Sequence, residues 1–190
     1  MAKRKPKLLQ LKIVLDEIEP EIWRRVLVPT NLTLHDLHRL IQLMFDWYDY
    51  HLYEFTIAGT RYGVPDADAE EETEDSTRVR LRDVAGSVGD HFTYIYDFGD
   101  DWVHTILVER APQRADPGWL PYVLSGERAG PPEDCGGVDG FQRFLEALRD
   151  PDDPEHEEYR TWIGANYDPE LFDVRAVRHS VLLSSAWGQA

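Results

Sequence analysis

The stretch HFTYIYDFGDDWVHTILVER, residues 91–110, decides the fold of this 190-residue chain. Aromatic and β-branched residues alternate with polar ones on both sides of Gly99-Asp100, which is typical of two antiparallel strands joined by a tight turn. A two-residue turn there places Asp97, Trp102 and His104 on one face of the hairpin. The opposite face then carries Tyr96, Phe98, Val103 and Leu107. A shift of one residue in this register would separate Asp97 from His104.

A second hairpin and a helix precede this stretch. Apolar residues alternate with polar ones over 9–15, and residues 22–28 form a partner strand. Thr33 and Asp36 have capping-box spacing, so we expect a helix to begin there. Its apolar face consists of Leu34, Leu37, Ile41, Met44 and Tyr48. Residues 53–57 then mark a further strand.

Helical patterns dominate the end of the chain, over residues 141–148, 154–163 and 169–183. Strands therefore come first and helices last, which favours an α+β fold with an antiparallel-rich sheet over an alternating α/β fold. The N-terminal half has a β-hairpin-helix order that is β-grasp-like, and the helical C-terminal part should pack on the sheet. We expect one domain over residues 1–190, with a flexible acidic loop at 65–76.

The composition excludes several classes of protein. The formal net charge of −16 argues against direct nucleic-acid binding, because such binding depends on neutralising phosphates. No apolar run approaches the roughly 20 residues that a membrane helix needs. A single cysteine excludes an internal disulfide framework and fits a reducing compartment, so we expect a cytoplasmic protein.

A second motif, PPEDCGG at residues 131–137, contains the only cysteine. A thiol near the start of a helix can act as a nucleophile if a base, here His104 or His156, lies near it. The neighbouring carboxylates of Glu133 and Asp134 oppose this role, because they raise the pKa of the Cys135 thiol. The alternative is a tight structural turn, for which Gly136 and Gly137 supply unusual backbone angles.

Acidic residues, glycines and rigid side chains are dense in both motifs, so we expect the two loops to meet in one electronegative pocket. The candidate pocket residues are Asp97, Asp100, Trp102, His104, Glu133, Asp134, Cys135, Gly136, Gly137, Trp162 and Asp168. No catalytic residue is assigned among them. The tryptophans and Tyr96 form either a binding groove or part of the core.

A divalent metal is the one cofactor that the pocket suggests. The candidate ligands are Asp97, Asp100, His104, Glu133 and Asp134. Carboxylates suit Mg²⁺ or Mn²⁺, and a mixed set with histidine suits Zn²⁺. No spacing matches an established zinc motif. The alternative is that Asp97 and Asp100 order the hairpin turn by accepting backbone hydrogen bonds.

Three stretches together resemble the plasmid pRiA4b ORF-3-like family, which is also met as a passenger protein of insertion sequences. They are YDFGDxWxH from Tyr96, PPEDCGG from Pro131, and WxG from Trp162 followed by DPExFD from Asp168. The resemblance covers nearly the whole chain and implies a compact α+β domain without a settled activity. We therefore expect a mobile-element-associated accessory or interaction module with a protein partner. The alternative is a metal-dependent hydrolase, with phosphoesters as a substrate class, that uses the acidic pocket of segments 97–104 and 131–137.

Overall fold

The computed structural model describes residues 7–66, 72–111, 120–164 and 166–184. The strands are β1 (Leu8–Leu15), β2 (Ile22–Pro29), β3 (Tyr53–Ile57), β4 (Thr60–Gly63), β5 (Glu74–Asp75), β6 (His91–Tyr96), β7 (Trp102–Arg110) and β8 (Tyr122–Glu127). The helices are α1 (Leu34–Phe45), α2 (Leu81–Val84), α3 (Gly137–Arg149), α4 (His156–Ile163) and α5 (Val174–Leu183).

All eight described strands join one sheet in the order β5-β4-β3-β6-β7-β1-β2-β8. Every neighbouring pair is antiparallel except β4 and β5. The predicted α+β class with an antiparallel-rich sheet is therefore confirmed. The hairpin of β1 and β2 is followed by α1, as expected, and β1 also pairs with β7. The first hairpin thus lies inside one large sheet, between β7 and the edge strand β8.

The core lies between the helices and one face of this sheet. Along β1, Leu11 and Ile13 are fully buried, whereas Lys12 between them is partly exposed. Helix α1 begins at the predicted cap, where the backbone N–H of Asp36 donates to Thr33 Oγ1 over 3.0 Å. It ends at Phe45, because the next residue adopts a left-handed backbone. The apolar face predicted to include Tyr48 is therefore one turn too long.

The hairpin of β6 and β7 has a register one residue away from the predicted one. Tyr96 pairs with Trp102 and Tyr94 pairs with His104, so these four aromatic residues share the buried face. The connection spans 97–101, because Asp97 adopts φ 57° and its Oδ1 accepts from the Gly99 N–H over 2.9 Å. This local turn removes Asp97 from the strand. The predicted shared face of Asp97 and His104 is therefore wrong.

The helices of the C-terminal part begin later or earlier than their patterns indicated. Helix α3 begins after Gly136, earlier than the predicted residue 141, and α5 begins after Asp173, later than the predicted residue 169. The Asp173 carboxylate accepts two backbone N–H bonds. From α5, Arg178 donates to the carbonyls of Val123 (2.7 Å) and Leu124 (3.2 Å) on β8. Helix α5 is thereby fixed to the edge strand of the sheet.

The acidic segment 65–76 is only partly described. Residues 67–71 lie outside the described ranges, and Glu74–Asp75 forms the short strand β5 beside β4. Ser76 is buried, and its backbone N–H donates to the Gly63 carbonyl over 3.0 Å. The flexibility of this segment stays a prediction, as does the single domain.

Candidate functional site

The turn of the 91–110 hairpin and the 131–137 loop are in contact. The backbone N–H of Gly136 donates to Asp100 Oδ2 over 3.1 Å. Gly137 has φ 68°, and a Cβ atom placed there would lie 2.5 Å from the Asp100 carbonyl oxygen. This close approach requires glycine. The two motifs thus meet in space, as their composition predicted.

A third segment, residues 46–52, completes the site, and the sequence reasoning did not select it. The backbone N–H of Tyr48 donates to Glu133 Oε1 over 2.7 Å, and the Tyr96 hydroxyl donates to the same oxygen over 2.9 Å. The Asp97 N–H donates to the Leu52 carbonyl over 2.9 Å. The run DWYDYH directly after α1 was the available signal, since aspartates alternate with aromatic residues there.

A buried polar network holds segment 46–52 against the sheet. His38, on α1, is fully buried and stacks on Tyr53 at 3.6 Å between ring centroids. Its Nδ1 lies 2.8 Å from the Tyr94 hydroxyl, and its Nε2 lies 2.8 Å from Asp49 Oδ1. The Asp49 N–H donates to Gln42 Oε1 over 2.9 Å. Burial lowers the pKa of His38, whereas the Asp49 carboxylate opposes that shift.

Large apolar side chains are exposed on this scaffold. Tyr48 and Tyr50 are 65% and 73% exposed, and their rings stack at 5.6 Å. Leu52 on the same segment and Phe98 on the hairpin turn are also more than half exposed. The segments 46–52, 97–101 and 133–134 also carry the carboxylates Asp46, Asp49, Asp97, Asp100, Asp101, Glu133 and Asp134. We call the exposed side chains of 46–52, 97–101 and 133–134 the tyrosine surface.

Three side chains of this site can hold a divalent cation. His51 Nε2 lies 2.9 Å from Asp134 Oδ1 and 3.5 Å from Asp97 Oδ2, and one ligand atom from each residue lies within 4.8 Å of the others. The three residues come from three different segments of the chain. One imidazole nitrogen with two carboxylates suits Zn²⁺ or Mn²⁺.

The other predicted metal ligands are directed elsewhere. Asp100 accepts from Gly136, and Glu133 accepts from Tyr48 and Tyr96. His104 is fully buried among the rings of Phe45, Trp47 and Tyr94. Of the five predicted ligands, only Asp97 and Asp134 therefore converge, and His51 joins them.

The hairpin residues Trp102 and His104 belong to the aromatic core. Trp102 is buried beside Trp47 and Phe141. Burial lowers the pKa of His104 to about 3, so its ring is neutral near pH 7. Neither side chain opens onto the tyrosine surface, because the observed register turns both toward the helices.

Cys135 has a structural position at the start of α3. Burial, together with the nearby Asp100 carboxylate, raises the pKa of its thiol to about 12. Its carbonyl oxygen lies so close to Gly140 that a Cβ atom there would collide with it. A thiol of this kind is almost fully protonated at neutral pH, which disfavours a nucleophilic role.

The contacts of Trp162 and Asp168 are with residues outside the cluster of His51, Asp97 and Asp134. Trp162, on α4, packs edge-to-face on Phe144 and contacts Tyr159. Asp168 Oδ1 accepts the Glu170 N–H over 3.0 Å, which stabilises the turn before α5. Neither residue contacts the hairpin turn through a hydrogen bond, ion pair or ring contact among those that the described residues show.

A groove of about 430 Å³ adjoins the tyrosine surface and includes Tyr48 in its wall. It runs between the end of α1, the loop around Tyr167, and α5. Asp168 lies on its rim together with Asp46 and Asp173.

Within the described residues, no helix is long and apolar enough to cross a membrane.

Similarity to other proteins covers most of the chain. The model of a family described as plasmid pRiA4b ORF-3-like protein matches residues 7–176. The uncharacterised protein y4hQ of Sinorhizobium fredii is 40% identical over 163 residues, which are 84% of this chain and 83% of that protein. A crystal structure of a protein of unknown function from Methanosarcina mazei Go1 superposes with a TM-score of 0.79 at 35% identity, covering 90% of this chain and 98% of that one.

Proposed function

This chain belongs to the plasmid pRiA4b ORF-3-like family, and we propose that it acts as a non-enzymatic accessory module that binds a protein partner through the tyrosine surface. The observation that carries this proposal is the pair of stacked, largely exposed tyrosines, Tyr48 and Tyr50, on a backbone held by buried polar contacts. Tyrosine is enriched in protein interfaces because it offers a large, rigid contact area with a polar end.

The scaffold beneath the tyrosines is ordered before any partner arrives. Trp47 Nε1 donates to the Pro131 carbonyl over 2.9 Å, and the Tyr50 N–H donates to the Tyr96 hydroxyl over 3.1 Å. Segment 46–52 is thereby connected to both motif loops. A surface that is already rigid loses little conformational entropy when it binds, which favours affinity.

The placement of the two best candidates for covalent catalysis supports a non-enzymatic role. Cys135 carries a thiol with a raised pKa, and His104 is a neutral ring within the core. A nucleophile needs a lowered pKa or an adjacent base within hydrogen-bond reach. Neither residue meets that requirement in this fold.

The proposal is tested by affinity purification from a lysate of the encoding organism with quantitative mass spectrometry. The bait is the wild-type protein, a Tyr48→Ala/Tyr50→Ala variant, or a Val88→Ala variant as the control. Val88 is 58% exposed but precedes Gly89, which bonds to Val108 toward the far end of β7. We expect specific partners with wild type and control that the tyrosine variant loses. Equal recovery with all three baits would contradict the proposal.

A second candidate function is supported by the convergence of His51, Asp97 and Asp134. We propose a divalent cation at these three residues, which would serve the metal-dependent hydrolase alternative. The cation would polarise an oxygen of a phosphoester or activate a water molecule. Asp97 would be a well-oriented ligand, because its Oδ1 is fixed by Gly99 and its side chain is only 9% exposed.

Binding of Zn²⁺ or Mn²⁺ is measured by titration calorimetry and thermal unfolding. A metal at about 100 times its dissociation constant should stabilise the fold by about 2.7 kcal/mol. His51→Ala should abolish this gain, whereas His179→Ala, which removes an exposed histidine on α5, should not. A hydrolase would also cleave a model phosphoester only with metal bound. Equal stabilisation of both variants would place any bound metal elsewhere.

A further inference from the structure

The groove beside the tyrosine surface has an apolar floor. Its apolar lining includes Leu43, Phe45, Ile163, Leu171, Phe172 and Val177. Leu171 is 56% exposed, so part of this lining is presented to solvent. Tyr48 belongs both to the groove wall and to the tyrosine surface, which makes the two features continuous. A partner segment that contacts the tyrosines can therefore also enter the groove.

Arg24 is the one cationic side chain among the described residues that line the groove, and it does not face solvent. Arg24 is buried, and its guanidinium lies between the rings of Phe45 and Phe172, at 4.6 and 4.2 Å from their centroids. It donates to the carbonyl oxygens of Met44 (2.8 Å) and Glu127 (2.8 Å). Arg24 thus serves as a structural link beneath the floor and is not available to pair with a ligand.

Among the described residues that line the groove, the charged side chains that reach solvent are all negative. They belong to Asp46, Asp168 and Asp173, each of which is exposed. The Asp173 carboxylate caps the start of α5, where it accepts hydrogen bonds from the backbone N–H groups of Arg175 and Ala176. The Glu133 and Asp134 carboxylates lie beside the same segment, and the chain as a whole carries −16. Acidic ligands are repelled by this arrangement, and basic ones are attracted.

We propose that the groove binds a basic peptide segment of the partner, one that presents apolar side chains on one side. The apolar side chains enter between α1 and α5. Lysine or arginine side chains pair with Asp46 and Asp168 on the rim and stack on the exposed ring of Tyr48. This inference rests on the proposed function, since it assigns the chemistry of the partner at the same surface.

Selection from a random peptide library on the full-length protein tests the inference. We expect the enriched peptides to combine net positive charge with aliphatic residues. Fluorescence anisotropy of one labelled selected peptide should then show roughly three- to tenfold weaker binding to Asp46→Asn/Asp168→Asn, because two partly exposed ion pairs are lost. Asparagine preserves both the left-handed backbone at 46 and the turn acceptor at 168. The control Asp83→Asn, on α2, should bind as wild type.

Three outcomes would overturn the inference: no enriched peptide, enriched peptides that are neutral or acidic, or equal weakening by the control. The proposed function fails separately. If affinity purification shows partners that depend on Tyr48 and Tyr50 while basic peptides do not bind the groove, the interaction module stands and only the chemistry assigned to its partner is wrong.

Discussion

At the scale of single residues, burial decides which titratable side chains can react or bind a ligand. His104 and Cys135 were both candidates from their motifs, yet one is enclosed by aromatic rings and the other by the start of α3. The sequence does not predict His51 as a ligand, because a lone histidine belongs to no recognisable metal-ligand spacing. It reaches Asp97 and Asp134 only after three segments fold together.

His104 should make the stability of the protein depend on pH. Its pKa is about 3 in the folded protein and near 6.5 when unfolded, so only the unfolded chain gains a proton between these values. The free energy of unfolding should therefore fall as pH decreases from about 6.5 toward 4, by up to about 1.4 kcal/mol per pH unit from this group.

Urea unfolding of wild type and His104→Gln between pH 4.5 and 7.5 measures this contribution. The variant should show a flatter dependence on pH, whatever its absolute stability. His91→Gln is the matched control, since His91 is the exposed histidine at the start of the same hairpin. Parallel curves for wild type and His104→Gln would contradict the prediction.

At the scale of elements, hydrophobic periodicity predicted the long strands correctly but did not predict the ends of the helices or the turns. Strand β1 and the Thr33 cap of α1 could be predicted from the sequence, because burial on one face and a capping bond are local properties. The hairpin register was not, since it depends on a left-handed Asp97 that widens the turn to 97–101. Segment 46–52 was missed because Tyr48 continues the helical spacing of α1 beyond its true end.

The contact between the hairpin turn and the start of α3 should depend on Gly137. Gly137→Ala places a Cβ atom 2.5 Å from the Asp100 carbonyl, in addition to the strain of φ 68°. Gly59→Ala is the matched control, because Gly59 has φ 82° but open space around it. We expect Gly137→Ala to lower the free energy of unfolding by about 1–3 kcal/mol more than the control. Equal losses in urea unfolding would show that the close approach has no cost.

At the scale of the whole molecule, strands that are distant in sequence form one sheet. Strand β1 lies between β2 and β7, so the first hairpin cannot separate from the 91–110 hairpin without breaking the ladder between β1 and β7. The order of strands and helices indicated the α+β class, because class follows from the sequence of elements. The strand order did not follow from it, since pairing between distant strands leaves no local pattern.

This sheet should make the protein unfold as one cooperative unit. Tryptophan fluorescence, to which the buried Trp47 and Trp102 contribute, reports on the core between α1 and β7. Far-ultraviolet circular dichroism reports on the whole backbone. The two signals should give coincident transitions in urea, as a single domain requires. Separate midpoints would instead divide the chain into independently folding parts.

The attachment of Arg178 to β8 has a consequence for self-assembly. Strand β8 ends the sheet, and an unprotected outermost strand is a template on which another chain can polymerise. The guanidinium group occupies the carbonyl oxygens of Val123 and Leu124 and covers Tyr122 at 4.4 Å, so an incoming backbone finds these acceptors already taken. This contact should therefore oppose the addition of another chain at the β8 edge of the sheet.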